Sequence, residues 1–153
     1  MNPTIDDWVH LMETVSDRPY ALAVTLTFRN WCKVAQQALN RDIGIRTVID
    51  LIRRLNREVF NHSAKRRGNT IGSVAVVGRN RADGHLHAHL ALTAPPHMSD
   101  AEFAALTEKV ITRFNWINKQ YRIEPYRNSL WLRYMAKHGT ESLALDCFNE
   151  AKP

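Results

Sequence analysis

Three histidines alternate with leucine and alanine in the segment GHLHAHLAL, which covers residues 84–92. Alternate side chains of a β-strand lie on the same face, so an extended conformation places His85, His87 and His89 on one side of a sheet. Two imidazoles about 6 to 7 Å apart at the backbone can bind one divalent metal ion if a neighbouring strand supplies a third ligand. The structural alternative is a solvent-facing strand that carries neutral imidazoles.

A second chemical pattern lies near the end of the chain, where Tyr134 and Lys137 are three residues apart in NSLWLRYMAKHG. Residues with this spacing share one face of a helix. A phenol is almost fully protonated at pH 7, so a tyrosine nucleophile needs a cation or a base beside it, and Lys137 can supply the positive charge. An ordinary amphipathic helix, with Tyr134 closing the core and Lys137 solvated, explains the same pair.

Basic residues are concentrated in the middle of the chain. Residues 41–67 hold eight basic and three acidic side chains, which is +5 of the net charge of +6. Lysine and arginine that contact phosphates release counterions and make binding salt-dependent, although a solvated helix face explains the same count without a nucleic acid. The side chains that we expect to contact DNA are Arg53, Arg57, Arg66, Arg67, Arg79 and Arg81. The last two are closest in sequence to the histidines.

The spacing of apolar residues predicts the elements that position these side chains. Strands are expected over residues 20–28, 71–77 and 85–93, and the pair Asp83-Gly84 predicts a tight hairpin between the last two. Helices are expected over residues 4–15, 45–60, 99–114 and 129–138. Thr4 with Asp7 indicates the start of the first helix, Ser99 with Glu102 forms a capping box at the third, and Gly139 ends the last one. Strands mixed with helices around a central hairpin favour an α+β fold with a mainly antiparallel sheet.

Length and composition indicate one domain over residues 1–153, with an N-terminal helical segment over 1–19 and a short tail over 140–153. The 44% apolar and 24% charged residues exclude intrinsic disorder and fibrous classes. Two distant cysteines, Cys32 and Cys147, exclude a disulfide framework and a four-cysteine zinc site. A polar, acidic N-terminus and the absence of a long apolar run favour a cytoplasmic protein without membrane spans.

Taken in order, three short segments resemble the motifs of a known enzyme family. They are Thr25-Leu26-Thr27-Phe28 on the first strand, Gly84-His85-Leu86-His87-Ala88-His89 on the histidine strand, and Tyr134-Met135-Ala136-Lys137 on the last helix. This order resembles the HUH endonucleases, above all the single-tyrosine rolling-circle replication initiators (Rep type) of plasmids and small phages. The resemblance extends over residues 20–139. It implies a ferredoxin-like or RRM-like sheet of about five strands with helices packed on it.

The resemblance also implies a chemistry. His87 and His89 would bind Mg²⁺ or Mn²⁺ at a scissile phosphate of single-stranded DNA. Tyr134 would attack this phosphate to give a 5′-phosphotyrosine and a free 3′-hydroxyl, with Lys137 as its electrostatic partner. Relatives often carry an acidic or polar third ligand before the histidines, but residues 71–78 hold no carboxylate, so His85 is the expected substitute. The register His85-Leu86-His87 is the alternative for the metal pair.

The expected partner is single-stranded DNA, as an origin or a hairpin, and the expected role is the initiation of rolling-circle replication. The sequence holds no Gly-x-x-x-x-Gly-Lys-[Ser/Thr] phosphate loop, so a separate helicase would unwind the template. The sequence carries no signature of oligomeric state. The alternatives are a transposase of the same superfamily, a catalytically inactive single-stranded nucleic-acid-binding protein with this fold, and a hydrolytic metalloenzyme unrelated to DNA.

Overall fold

A computed structural model describes residues 2–61, 67–137 and 142–152. The helices in these ranges are α1 (Ile5–Thr14), α2 (Arg41–Phe60), α3 (Asp100–Ile111) and α4 (Leu130–Ala136). The strands are β1 (Leu22–Thr27), β2 (Trp31–Cys32), β3 (Gln37–Ala38), β4 (Ser73–Arg79), β5 (Leu86–Leu92) and β6 (Arg122–Pro125). Over the same ranges, no helix is both long enough and apolar enough to cross a bilayer.

Four strands form the main sheet in the order β4-β5-β1-β6, and each neighbouring pair is antiparallel. With α2 between β1 and β4, and α3 between β5 and β6, the connectivity is βαββαβ, the split arrangement of ferredoxin-like folds. The α+β class and the antiparallel sheet predicted from the sequence are therefore confirmed. The predicted hairpin is also present, since β4 and β5 pair along their length and Gly84 turns between them with φ of 69°.

The expectation of about five strands is wrong, because the described sheet has four. Two further strands, β2 and β3, pair only with each other. The segment after residue 141 follows the outer edge of β4, but it makes only isolated bridges, including Val76 with Leu143 and Ser73 with Asn149. A 3₁₀ turn over Leu145–Cys147 interrupts this segment, so a continuous fifth ladder does not form.

Helix starts follow local capping chemistry. Thr4 with Asp7 and Ser99 with Glu102 form capping boxes at α1 and α3, as the sequence predicts. The second helix begins at Arg41, one turn before the predicted start at residue 45. The reason is that the Asn40 side chain accepts a hydrogen bond from the Ile43 amide at 2.8 Å and caps the helix there.

One face of the sheet is covered by α2 and α3. Alternate residues of β1 and β5, such as Leu26 and Leu90, pack with Leu51 of α2 and Phe103 of α3 in one buried cluster. The approach of α2 to the sheet is close at Gly44, where a Cβ atom would lie 2.7 Å from Leu86 Cδ2. This face forms the main hydrophobic core.

The other face is covered only in part, by α1 and α4. Met12 of α1 and Met135 of α4 pack on Val76 of β4 and Ala91 of β5 in a second, smaller apolar cluster. Beyond this cluster, towards the β4–β5 hairpin, the same face carries His89 and His87. The histidine strand thus contributes leucines to one face and histidines to the other, as its alternation predicts.

Candidate active site

The register of the sheet fixes the position of two histidines. His89 lies between Thr25 of β1 and Val76 of β4, and His87 lies between Thr27 of β1 and Gly78 of β4. Gly78 has no side chain, so it leaves space above the sheet beside His87. His89 is buried and His87 is half-buried, so neither matches a fully solvated strand edge.

The imidazole rings follow one another along the strand. The ring centroids of His87 and His89 are 6.5 Å apart with planes only 18° from parallel, and those of His85 and His87 are 6.3 Å apart. The Thr25 hydroxyl lies 3.3 Å from Nδ1 of His89. A hydrogen bond to one ring nitrogen fixes the orientation of an imidazole and leaves the other nitrogen for a ligand. Thr25 therefore acts on the orientation of His89.

The tyrosine of the last helix lies over this strand. The Tyr134 ring is 5.2 Å from the His89 ring, centroid to centroid, and meets it edge to face at 78°. The ring is 46% exposed, so Tyr134 does not close the core. Helix α4 is instead anchored by buried Leu132 and Met135, and Lys137 directly follows it as an exposed residue.

Trp131 connects helix α4 to strand β5. Its indole Nε1 donates a hydrogen bond to the carbonyl oxygen of Leu90 at 3.0 Å. Its ring stacks on Tyr134 at a centroid distance of 5.6 Å and meets His89 edge to face at 5.4 Å. Three aromatic rings from two elements are thereby held in one cluster. Sequence reasoning gave Trp131 no role.

These side chains line an open cleft of about 680 Å³. The predicted residues that it brings together are His87, His89, Tyr134, Lys137 and Arg81. The remaining lining residues are Thr25, Gly78, Asn80, Arg122, Glu124 and Trp131. A volume of this size is ordinary for a ligand site and too small for a nucleic acid duplex.

Other predicted residues lie outside the cleft lining. His85 directly precedes β5 and is half-buried. Arg79 pairs with Leu86, on the face that α2 covers, and donates a hydrogen bond to the Gly84 carbonyl at 3.1 Å. Arg53 and Arg57 are exposed on α2, across the sheet from the histidines. Arg67 is exposed at the start of the range 67–137, and Arg66 lies outside the described residues.

Two charged residues of the cleft were missed by the sequence analysis. Arg122 and Glu124 belong to the short edge strand β6, where Arg122 pairs with Thr25 and Glu124 pairs with Ala23. Both therefore lie on the histidine face, and Ile123 between them packs against the main core. The alternation Arg-Ile-Glu is the available signal, but Pro125 directly after it is typical of a break in a strand.

The donor types suit a divalent metal, since His87 and His89 are imidazoles in one cleft with the carboxylate of Glu124. A metal about 2.1 Å from two side-by-side imidazole nitrogens places the ring centres about 4.6 to 5.4 Å apart. The described separation is 6.5 Å, so binding requires the rings to turn towards each other. No group of three His, Cys, Asp or Glu side chains in the described ranges is arranged to hold an ion, and His85 does not complete one.

Comparisons with known proteins add no assignment. No protein-family model, no curated protein and no solved structure matches the chain. The residues and geometry of the cleft are therefore the basis for proposing a function.

Proposed function

We propose that the protein is an HUH-type endonuclease that cleaves and rejoins single-stranded DNA through Tyr134. The observation that carries the proposal is the edge-to-face contact of the Tyr134 and His89 rings, 5.2 Å apart, in a cleft that His87 also lines. These residues come from distant parts of the chain, and packing of α4 on the sheet brings them together. The proximity of Tyr134 to the two histidines supports metal-assisted attack by this tyrosine.

The charges of the cleft suit a phosphodiester strand. Among the described residues, Arg81, Arg122 and Lys137 line it, together with one carboxylate, that of Glu124. Guanidinium and ammonium groups bind phosphate oxygens by charge-assisted hydrogen bonds. The exposed part of the Tyr134 ring, backed by Trp131, offers a surface for a neighbouring base. The cleft is therefore suited to one or two nucleotides at the scissile phosphate.

A Mg²⁺ or Mn²⁺ ion held by His87 and His89 would supply a Lewis acid that withdraws charge from the phosphoryl oxygens. The Tyr134 hydroxyl gives up its proton to solvent, and its oxygen forms a bond to phosphorus. The bond from phosphorus to the 3′-oxygen breaks, and this oxygen takes up a proton as it leaves. Lys137, in the turn after Tyr134, stabilises the negative charge on the phenolate oxygen before attack.

The product of this step is a 5′-phosphotyrosine and a free 3′-hydroxyl. One phosphodiester replaces another, so the reverse attack by a 3′-hydroxyl rejoins the strand without a nucleotide cofactor. We assign the activity to initiation of rolling-circle replication, with a separate helicase to unwind the template. The two free cysteines, both buried, are compatible with reaction in the reducing cytoplasm.

The test is covalent capture of DNA. The protein is mixed with Mn²⁺ and a pool of single-stranded oligonucleotides, with linear and hairpin members of random sequence labelled at the 3′ end. The 5′-phosphotyrosine retains the 3′ part of the strand, so a labelled adduct is expected on a denaturing gel. Tyr134→Phe and added EDTA are each expected to remove it. No adduct with any pool member, or an adduct that survives Tyr134→Phe, would refute the proposal.

The same pool separates a replication initiator from a transposase. We expect the initiator to form adducts on linear members, whereas a transposase of this superfamily requires hairpin ends. Adducts restricted to hairpin members would favour the transposase.

A second candidate is a single-stranded nucleic-acid binder without metal chemistry. It is favoured by the 6.5 Å separation of the His87 and His89 rings, which is wider than a bound pair. Such a protein would bind oligonucleotides in a salt-sensitive manner that EDTA leaves unchanged, and it would form no adduct.

A further inference from the structure

A second concave surface lies on the outer side of α2, away from the candidate active site. It encloses about 390 Å³ and is lined by Asp50, Arg53, Arg54, Arg57, Arg113 and Phe114. The first four belong to α2, and the last two directly follow α3. We call this surface the arginine groove. An ion pair between Glu58 of α2 and Arg113, which lies just after α3, joins the two sides of the groove at 2.9 Å.

The arginine groove carries an excess of positive charge. Four guanidinium groups and one carboxylate line it. Asp50 lies 3.7 Å from Arg53, but the Arg53 side chain is 73% exposed, so solvent weakens this pair and leaves the guanidinium accessible. Exposed Arg57 is on the same stripe of the helix, one turn further along. The groove therefore favours a ligand with several negative charges.

The positive surface extends beyond the groove as a straight array. Arg46, Arg53 and Arg57 are exposed, and their spacings of seven and four residues place them on one side of α2. Eleven residues of helix extend about 16 Å. Arginine rather than lysine occupies each position, and a guanidinium can bind two phosphate oxygens at once. An array of this length can reach several phosphates of one backbone.

The groove and the cleft cannot contact the same nucleotides. The inner side of α2 packs on the face of the sheet that carries Leu86 and Leu90, through Val48, Leu51 and Leu55. The cleft opens on the opposite face, which carries His87 and His89. The helix alone is about 10 to 12 Å across with its side chains, and the sheet lies beyond it. A nucleic acid that reaches both surfaces must therefore be longer than the segment in the cleft.

The chemistry of the groove favours duplex over single-stranded DNA. Single-strand sites combine positive charge with aromatic platforms for stacked bases. The groove has one aromatic residue, Phe114, which is half-buried and packs on the main core. A duplex stacks its base faces inside and presents its phosphates along both strands, so the arginines can contact it without an aromatic platform. An acidic peptide is the alternative ligand of an arginine cluster, and the experiment compares it with the duplex.

We infer that the arginine groove and Arg46 bind the phosphate backbone of a DNA duplex, at a site separate from the single-strand cleft. The identity of the partner as DNA rests on the proposed function. The duplex would adjoin the single strand to be cleaved, as the stem of a hairpin or the double-stranded flank of an origin. The protein would then hold its substrate at two places on opposite sides of the sheet.

The experiment measures binding of a fluorescent 20-base-pair duplex in EDTA, by anisotropy, over a series of salt concentrations. The test variant is Arg46→Gln/Arg53→Gln/Arg57→Gln. The matched control is Lys33→Gln/Lys119→Gln/Arg127→Gln, which removes the same charge from exposed residues outside both surfaces. Circular dichroism melting checks that both variants fold. The assay contains no metal, so its result does not depend on Tyr134 chemistry.

The test variant is expected to bind the duplex at least about tenfold more weakly at 0.1 M salt, and the salt slope is expected to fall by about 0.9 for each lost phosphate contact. The control is expected to change affinity less than about threefold. Equal losses in both variants, an equal loss on an oligonucleotide of eight thymidines, or tighter binding of a decaglutamate peptide would overturn the inference. Failure of covalent capture would refute the proposed nuclease and leave this duplex measurement intact.

Discussion

The two faces of the sheet carry different kinds of side chain from the same strands. On the α2 and α3 face, Leu86 and Leu90 of β5 are fully buried in the main core. On the α1 and α4 face, His87 and His89 of the same strand line a cleft. One strand therefore contributes core residues at one set of alternate positions and the proposed site residues at the other. Substitutions one position apart should separate the two properties.

The largest effect is expected on the cleft face. His87→Ala and His89→Ala are each expected to lower metal-dependent adduct formation about 100-fold or more, because each removes a donor to the ion. His85→Ala is the matched comparison on the same strand, and we expect less than a tenfold loss because His85 is outside the cleft lining. Initial rates at saturating Mn²⁺ measure the difference. Equal losses at all three positions would indicate that His85 is also a metal ligand.

The next effect belongs to the core face. Leu86→Ala removes a side chain that is 1% exposed, next to His87 in sequence but on the opposite face. We expect the free energy of unfolding to fall by about 2 to 5 kcal/mol, from lost burial and the cavity left behind. Urea denaturation measures the loss. A loss below about 1 kcal/mol would show that this face is not tightly packed.

A smaller effect is expected at Gly44, and its sign should depend on Leu86. The added methyl group of Gly44→Ala would lie 2.7 Å from Leu86 Cδ2, so the core must shift, while the helix gains about 1 kcal/mol in propensity. We expect a net loss of about 1 kcal/mol in the wild-type background. In Leu86→Ala the methyl has space, and we expect Gly44→Ala to stabilise. The same sign in both backgrounds would contradict the close approach of α2.

The smallest effect concerns the apolar end of the cleft face. Tyr20 donates a hydrogen bond to the Met12 carbonyl, and burial, with Tyr126 and Glu13 nearby, raises the pKa of its phenol. The raised pKa keeps the folded phenol neutral when the unfolded one ionises, so stability is full below about pH 10 and is lost above it. We expect at most about 1 kcal/mol by pH 11, and a flatter alkaline profile in Tyr20→Phe. An unchanged profile would assign the loss to other groups.

The elements that follow local rules were predictable. The strand periodicity at β5, the Asp83-Gly84 turn and the Ser99 cap each depend on a few neighbouring residues, and the structure has them where the sequence predicts. The start of α2 was missed because the Asn40 cap was not considered. Local patterns were sufficient for the class of fold and for the histidine face.

The missed features depend on tertiary contacts. Arg122 and Glu124 enter the cleft because β6 pairs with β1 at the sheet edge, and four residues ending in proline give a weak strand signal. The amphipathic pattern of α2 predicts that its arginines are exposed. It does not predict which side of the sheet α2 covers, because that depends on tertiary packing. For this reason, Arg53 and Arg57 could not be separated from the cleft by sequence alone.

The central claim is that Tyr134 is the nucleophile, and peptide mapping of the adduct tests it most directly. After nuclease digestion, trypsin cleavage at Arg133 and Lys137 releases residues 134–137, which contain one of the four tyrosines of the chain. Mass spectrometry is expected to find this peptide carrying a nucleotide through its phenol oxygen. A nucleotide on Tyr20, Tyr121 or Tyr126, or on no tyrosine at all, would contradict the account.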